Sequence, residues 1–152
     1  MSRPVWIDRS SPAKARKTLE EFRQAIADGS ALMIYPEGTT TRGDVPLLPF
    51  KSTAFEAVLP PGQGSVHPIL TYYTGDRAAG DVTVAWYDDT PFVRHVWGIL
   101  GNRRTHAKIV VLPELRPAPG MTRKDLANAA RNMMESAHQS FLTQQQEAPR
   151  ES

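Results

Sequence analysis

The sequence predicts an α/β fold in which a mixed, mostly parallel sheet is flanked by helices. The first observation is a strand, helix, strand order near the start of the chain, over residues 4–7, 10–29 and 31–35. Short joins between such elements indicate parallel pairing and a right-handed crossover. The run 31–35 is continuously apolar, which is typical of a strand buried on both faces. The second observation is that further strand-like segments follow: residues 66–73, 81–89 and 106–115.

The amino-acid composition excludes several classes of functional site. The chain has 152 residues, of which 40% are hydrophobic and 22% are charged, so we expect a single domain with a packed core. The absence of cysteine excludes a disulfide framework, a thiolate zinc site and a cysteine nucleophile. A net charge of +2 favours anionic ligands or an anionic membrane surface, and it is too small to indicate nucleic-acid binding by itself.

The first helix has clear end signals. Ser11 suits the N-cap, and Pro12 suits the first helical position, where its missing N–H costs nothing. Gly29 supplies a left-handed stop at the C-terminal end. Apolar residues at helical spacing predict the buried stripe of this helix: Leu19, Phe22 and Ile26.

The middle of the chain predicts short elements. Ser52 is expected to cap a short helix that reaches Leu59. Pro68 lies inside the strand-like segment 66–73, which indicates an edge strand or a strand that begins at the proline. Residues 91–101 predict a second short helix closed by Gly101.

A long C-terminal helix follows the turn at residues 116–120. Thr122 and Asp125 form a sequence pattern like a capping box, with Asp in place of the usual Glu or Gln. The polar residues 144–152 predict a frayed tail, so residues 1–143 are assigned to the domain. An apolar stripe marks the buried face of the helix: Leu126, Ala129, Ala130, Met133, Ala137 and Phe141.

The segment "LMIYPEGTTTRGDVPLLPFK", residues 32–51, predicts a polar binding site at a strand end. Glu37 follows one predicted strand and Arg9 follows another, so parallel neighbours would bring both side chains to one edge of the sheet, where open α/β sheets bind ligands. Arg binds phosphate through two parallel hydrogen bonds, and Lys51 adds a second cation. A ligand with hydroxyls and a phosphate would fit. The alternative is a structural Arg9–Glu37 ion pair, with Gly38 only turning the chain and Lys51 solvated.

Three segments resemble known signature blocks. "WIDRSS", "IYPEGTTTRGDVPLLPFKSTAFE" and "VHPILTYY" are similar, in order and spacing, to the second, third and fourth blocks of the glycerolipid acyltransferases, in particular the 1-acyl-sn-glycerol-3-phosphate acyltransferase-like group. The resemblance covers roughly residues 4–115. It implies transfer of an acyl chain from a coenzyme A or acyl carrier protein thioester, with no other cofactor and no metal, to a hydroxyl of lysophosphatidic acid, another lysophospholipid or glycerol phosphate, within phospholipid biosynthesis.

The resemblance also implies roles for individual residues. Arg9 would contact the acceptor phosphate, and Lys51 would assist it. Thr40 stands where many members carry Arg, which leaves the role of Arg42 open. The third block, at Glu37, Gly38 and Thr39, would bind the glycerol end of the acceptor, and Pro68 of the fourth block would shape the wall that contacts the acyl chain.

The first block of that family, a His followed five positions later by an Asp, is missing. Four histidines occur, and none has Asp at that spacing: His67, His95, His106 and His138. His67 lies in the fourth block, and it is either a surrogate base or an ordinary strand residue. The other three histidines are interpreted as surface positions. We identify no catalytic residue. Three explanations stay open: the C-terminal part of a longer enzyme, which we favour, a non-catalytic phospholipid- or phosphate-ester-binding relative, or a base supplied by a partner chain.

Partners and location follow mainly from the resemblance. Residues 91–104 combine apolar and basic side chains, so they predict either a contact with the membrane interface or a buried helix. Residues 101–108 suggest a solvated loop rather than a nucleic-acid contact. We therefore expect a peripheral protein at the cytoplasmic face of the membrane, or a cytoplasmic protein. Loss of the first strand and helix of the family fold would expose an apolar edge, which predicts self-association.

Overall fold

The computed structural model describes most of the chain after the predicted first strand. The residues described are 12–41, 43, 45–59, 62, 64–75, 84–87, 89–102 and 104–147. The predicted strand 4–7 and Arg9 lie outside them. Six elements follow in order: α1 (Pro12–Ala27), a 3₁₀ helix (Ser52–Val58), β1 (Ile69–Gly75), α2 (Phe92–Leu100), β2 (Thr105–Val111) and α3 (Arg123–Glu147).

α1 confirms the predicted first helix. Its C-terminal end is a Schellman motif, because Ser30 N donates to the carbonyl of Ala25 (2.8 Å) and Gly29 N donates to that of Ile26 (2.9 Å). Gly29 adopts the positive φ of 79° that this motif needs. Phe22 of the predicted apolar stripe is buried. Local chemistry therefore sets where this helix stops.

The segment 31–35 is extended but belongs to no strand ladder among the described residues. Its exposure alternates: Ile34 packs against the core, whereas Met33 is 79% and Tyr35 is 80% exposed. The prediction that both faces are buried is therefore wrong. A single packed face explains the alternation, because successive side chains of an extended chain point to opposite sides.

The sheet of the described residues has two antiparallel strands, β1 and β2. Ile69 pairs with Val111, and the register continues to Gly75 opposite Thr105. The helical and strand content confirms part of the predicted fold class, but the mostly parallel sheet is not supported. Its prediction depended on pairing residues 4–7 with 31–35, and residues 4–7 lie outside the described residues.

One of two other predicted strands is confirmed, with its start at the proline, and the other differs from the structure. β1 begins directly after Pro68, as the missing N–H of proline requires, and an isolated bridge between Val66 and Leu115 continues the pairing before it. Within the predicted strand 81–89, residues 84–87 form no strand, and 81–83 and 88 lie outside the described residues.

The core lies between the 3₁₀ helix and α3. It consists of buried residues from these two helices: Phe55, Val58, Leu126, Ala127 and Ala130. Ile26 of α1, Ile34 and Leu115 pack against it from three other parts of the chain. The 3₁₀ helix begins at Ser52 with Lys51 as its N-cap and no side-chain cap, so the prediction that Ser52 is the cap is wrong.

α3 starts with the predicted capping box. Thr122 N donates to Asp125 Oδ2 (2.9 Å), and Asp125 N donates to Thr122 Oγ1 (3.3 Å). The helix runs to Glu147, so it includes the first residues of the segment predicted as a polar tail. One face of α3 packs on the 3₁₀ helix, and its later turns reach β1.

Two apolar surfaces are exposed to solvent. On the sheet face opposite α3 the large apolar side chains are exposed: Ile69, Tyr73, Ile109 and Val111. No residue of α2 is buried, so the prediction of a buried helix at residues 91–104 is wrong. Among the described residues, none of the helices combines the length and the apolar character that crossing a bilayer requires.

Candidate functional site

A hydrogen-bonded turn forms the centre of the candidate site. Gly38 N donates to the carbonyl of Tyr35 (3.1 Å), and Gly38 has a positive φ of 70°. Lys51 N donates to the carbonyl of Pro36 (2.8 Å), which ties the turn to the end of the segment 45–51. The conformation at Gly38 strongly favours glycine, because a Cβ disfavours the left-handed region.

Glu37 connects the same two segments through its side chain. The half-buried carboxylate accepts a hydrogen bond from Leu48 N through Oε2 (3.0 Å). Oε1 takes no part in this bond. The structure therefore gives Glu37 a role in shaping the site, and it places the carboxylate at the turn predicted from the sequence.

The Lys51 side chain lies over Gly38. A Cβ built on Gly38 would collide with Lys51 Nζ and would lie 3.1 Å from Cε. Lys51 is exposed, as expected for a solvated lysine, yet its ammonium contacts the turn rather than extending away from it. The structure thus brings Glu37, Gly38 and Lys51 together, giving a carboxylate and a cation on one glycine turn.

The hydroxyls after the turn are also exposed. Thr39 directly follows Gly38 and is solvent-accessible. Thr40 Oγ1 donates to the backbone carbonyl of Trp86. That hydrogen bond attaches the turn to the segment that leads into α2, in which Trp86 Nε1 donates to the carbonyl of Thr90 (2.8 Å).

Three polar residues of α3 hold the backbone of residues 45–48. Glu135 Oε2 accepts from Leu47 N (2.8 Å). Arg131 Nε donates to the carbonyl of Leu48 (3.1 Å), and its Nη2 donates to the carbonyl of Leu47. His138 Nε2 contacts the carbonyl of Val45 at 3.1 Å. We call Arg131, Glu135 and His138 the α3 polar stripe.

Sequence reasoning missed the α3 polar stripe. Its members are spaced by four and three positions, which places them on one helical face, and this spacing was the available signal. His138 was interpreted as a surface position, whereas it is only 3% exposed. Its burial follows from its contacts, since the carbonyl of Val45 and the ring of Tyr72 cover it.

Tyr72 and His138 form a hydrogen-bonded pair. A carbonyl only accepts, so His138 Nε2 carries the hydrogen that it gives to Val45, and His138 Nδ1 accepts from the Tyr72 hydroxyl at 3.2 Å. Tyr72 also stacks on Phe141 with ring centroids 3.7 Å apart. Burial raises the pKa of the Tyr72 hydroxyl above its ordinary value.

His67 does not have the geometry of a proton relay. Its Nε2 lies 3.3 Å from Ser65 Oγ and 3.6 Å from Glu114 Oε1, so the hydroxyl and the carboxylate both face the same nitrogen. In a serine-type relay they face different ring nitrogens. The hydrogen bond from Ser65 and the nearby Arg116 hold the pKa of Glu114 below its usual value. This cluster is best explained as an exposed ion-pair network.

The roles of two predicted site residues stay predictions. Pro68 is buried at the start of β1, and its carbonyl accepts from Leu112 N (3.0 Å). Its assignment to the acyl-chain wall stays a prediction. Arg9 lies outside the described residues, so its placement beside Glu37 also stays a prediction.

Comparison with known proteins gives a family match and several relatives. Residues 1–72 match the family model described as acyltransferase. The chain is 37% identical over 121 residues, 77% of its length, to a lyso-ornithine lipid O-acyltransferase of Rhodobacter capsulatus. It is 37% identical over 101 residues, 65% of its length, to a lysophospholipid acyltransferase of Arabidopsis thaliana, and 32% identical over 135 residues, 86% of its length, to a lysophosphatidylcholine acyltransferase of Danio rerio.

The chain spans only part of these relatives. The matched regions cover 43% of the Rhodobacter protein, 23% of the Arabidopsis protein and 24% of the Danio protein. No solved structure shows significant similarity to the chain.

Proposed function

Because the chain belongs to the glycerolipid acyltransferase family, we propose that it forms the acceptor-binding part of an enzyme that transfers an acyl chain to a lysolipid. The acyl donor is a coenzyme A or acyl carrier protein thioester. The acceptor is a lysophospholipid such as lysophosphatidic acid, or a glycerol phosphate. Lyso-ornithine lipid is a further acceptor to test, since the Rhodobacter relative is named for it.

The observation that supports this proposal most is the placement of Lys51 over the Gly38 turn beside Glu37. An ammonium attracts the phosphate of the acceptor, and a carboxylate accepts hydrogen bonds from glycerol hydroxyls. Thr39 adds an exposed hydroxyl next to the turn. We propose that Arg9 completes the phosphate contact and that Pro68 borders the acyl chain.

We also propose that the protein acts at the cytoplasmic face of a membrane as a peripheral protein. Long acyl chains partition into bilayers, so a lipid acceptor must be reached at the bilayer surface. The excess of basic over acidic residues, 18 against 16, agrees with attraction to anionic lipid.

A second candidate function is a binding module that holds a lysophospholipid or another phosphate ester without turnover. The observation that favours it is that none of the four histidines of this chain is followed by Asp at the spacing of the family base. A positioned base accounts for a rate factor of ~10²–10⁴, so its loss would reduce turnover far more than binding.

Two assays on the same variants separate the candidates. Acyl transfer and lysolipid binding are measured for the wild type and for Arg9→Ala, Glu37→Gln and Lys51→Ala. Lys124→Ala is the matched control, since Lys124 is an exposed lysine at the start of α3, whereas Lys51 is the lysine that lies over Gly38. If turnover falls in the three variants but not in the control, the result supports the acyl-transfer function. If binding falls in the three variants and no sample shows turnover, the result supports the binding module. Equal binding in all samples contradicts both.

A further inference from the structure

α2 presents an apolar face to solvent. Its residues Val93, Trp97 and Leu100 recur at helical spacing, and Phe92 borders them. Their exposed fractions are high for such side chains: Phe92 59%, Val93 65%, Trp97 69% and Leu100 67%. We call these four residues the α2 apolar face. Among the described elements, α2 packs against no other helix or strand.

The segment before α2 is attached to the helix through Phe92 and His95. Trp86 contacts the ring of Phe92 edge-on at 5.4 Å and stacks on His95 at 6.4 Å. These contacts fix the helix orientation without covering Val93 or Trp97. The exposure of the α2 apolar face therefore results from the packing of the helix and not from fraying of its end.

Basic residues border this face. Arg94 lies beside it on the helix, and Arg104 follows the helix; both are exposed. Tryptophan next to arginine is the pattern of helices that lie in the membrane interface, where the indole ring sits at headgroup level and the cations attract anionic lipid. A protein partner would need an acidic apolar groove, for which nothing in the chain argues, whereas the acceptors of the family are lipids.

α2 is joined to the candidate site by one hydrogen bond. Thr40, two residues after Gly38, donates through Oγ1 to the carbonyl of Trp86, and Trp86 contacts Phe92 and His95. A surface that binds α2 would therefore lie close to the Gly38 turn.

We propose that α2 docks this protein onto an anionic bilayer by inserting the α2 apolar face at the interface, with Arg94 and Arg104 at the headgroups. Docking holds the Gly38 turn next to the lipid surface from which the acceptor is taken. The docking step needs no catalysis, and only its purpose depends on the proposed function.

Liposome flotation tests the proposal with two vesicle compositions, phosphatidylcholine alone and phosphatidylcholine mixed with phosphatidylglycerol. The wild type is expected to float with the anionic vesicles, and less so as salt is added. Val93→Gln with Trp97→Gln is expected to lower the lipid-bound fraction by about tenfold or more. Arg94→Glu with Arg104→Glu is expected to lower it about fivefold for each residue.

The matched control is Val111→Gln on the exposed sheet face, because Val111 is 64% exposed and Val93 is 65% exposed. Flotation that persists in the Val111 variant and is lost in the α2 variants supports docking through α2. A wild type that does not float, or an equal loss in the Val111 variant, overturns it. Circular dichroism confirms that the α2 variants keep the helical fold.

The same assay separates this proposal from the proposed function. Glu37→Gln changes the candidate acceptor site and leaves α2 intact, so it is expected to float like the wild type. If the wild type floats but neither binds nor acylates lysolipid, the proposed function fails and docking stands. If lysolipid binds while the α2 variants float normally, docking fails and the proposed function stands.

Discussion

Lys51 Nζ lies so close to Gly38 that a Cβ added there would collide with it. Gly38→Ala is therefore expected to displace the lysine and to weaken lysolipid binding, besides the cost of about 1–2 kcal/mol for a Cβ at positive φ. Gly29→Ala is the control, because Gly29 has φ 79° with nothing near its missing Cβ. It is expected to lose similar stability and no binding. Equal binding by the two variants, measured by calorimetry, would contradict the role of Lys51.

Glu135→Ala is expected to release the backbone of residues 45–48. The Leu47 amide loses its acceptor, and an unsatisfied half-buried amide costs about 1–3 kcal/mol. Hydrogen exchange at Leu47 should become faster, and lysolipid binding should weaken because Glu37 contacts the next residue. Asn128→Ala, an exposed change on the same helix, is the control. Unchanged exchange at Leu47 would refute this contact.

The free energy of unfolding is expected to fall at alkaline pH as the Tyr72 hydroxyl ionises. Burial raises the pKa of its hydroxyl in the folded state, so its contribution is complete below the ordinary value near 10 and is lost as the pH rises through the folded value. The hydrogen bond to His138 contributes about 1 kcal/mol. The difference in unfolding free energy between wild type and Tyr72→Phe should shrink as the pH rises above about 10.

Tyr73→Phe is the control for this measurement. Tyr73 is the next residue of β1 and is 55% exposed on the other face of the sheet. Its variant should follow the wild type across the same pH range. A Tyr72→Phe curve that also runs parallel to the wild type would show that the Tyr72–His138 contact is not coupled to titration.

An acid-dependent loss of stability is expected from the capping box. The hydrogen bonds from Thr122, first through its hydroxyl and then through its amide, hold the pKa of Asp125 below its usual value. The contribution is therefore present above the unfolded value and is lost as the pH falls through the folded one. Asp125→Asn keeps an acceptor and removes the titration. The unfolding free energy of this variant, measured with urea, is expected to be lower than that of wild type at neutral pH. The difference should disappear between about pH 5 and pH 2. A constant deficit would be inconsistent with this assignment.

We also propose self-association through the exposed sheet face. Ile109, at 64% exposure, lies near its centre opposite Thr71. Ile109→Gln is expected to shift the mass measured by light scattering toward the monomer, because a contiguous apolar surface favours contact with another copy. Val93→Gln, on α2, should leave the mass unchanged. A wild type that is monomeric at high concentration would exclude this contact.

Local signals predicted the ends of elements well. Gly29 and the Thr122–Asp125 pair mark helix ends through contacts within a few residues, which a sequence pattern contains. Pro68 likewise marks where β1 can begin. The Gly38 turn and its carboxylate were also predictable, because glycine and a polar residue at the end of an apolar run indicate a turn.

Contacts between residues that are far apart in the sequence were not predictable. Glu135 holds Leu47 across 88 positions, and no local pattern reports such a distance. The antiparallel pairing of β1 with β2 was not predictable either, because strand direction is set by which segments pack together and not by either segment alone. His138 was misjudged for the same reason, since its burial comes from Val45 and Tyr72, far away in sequence.

The last pair of the ladder, Gly75 opposite Thr105, makes the two strands a hairpin whose arms close at neighbouring residues. The described residues between the two strands are 84–87, 89–102 and 104, and they include α2. Because the register is set by hydrogen bonds between the strands themselves, a change on the exposed side of α2 is expected to leave that register intact. The exposed face of α2 can therefore be changed independently of the pairing of the two strands that carry it.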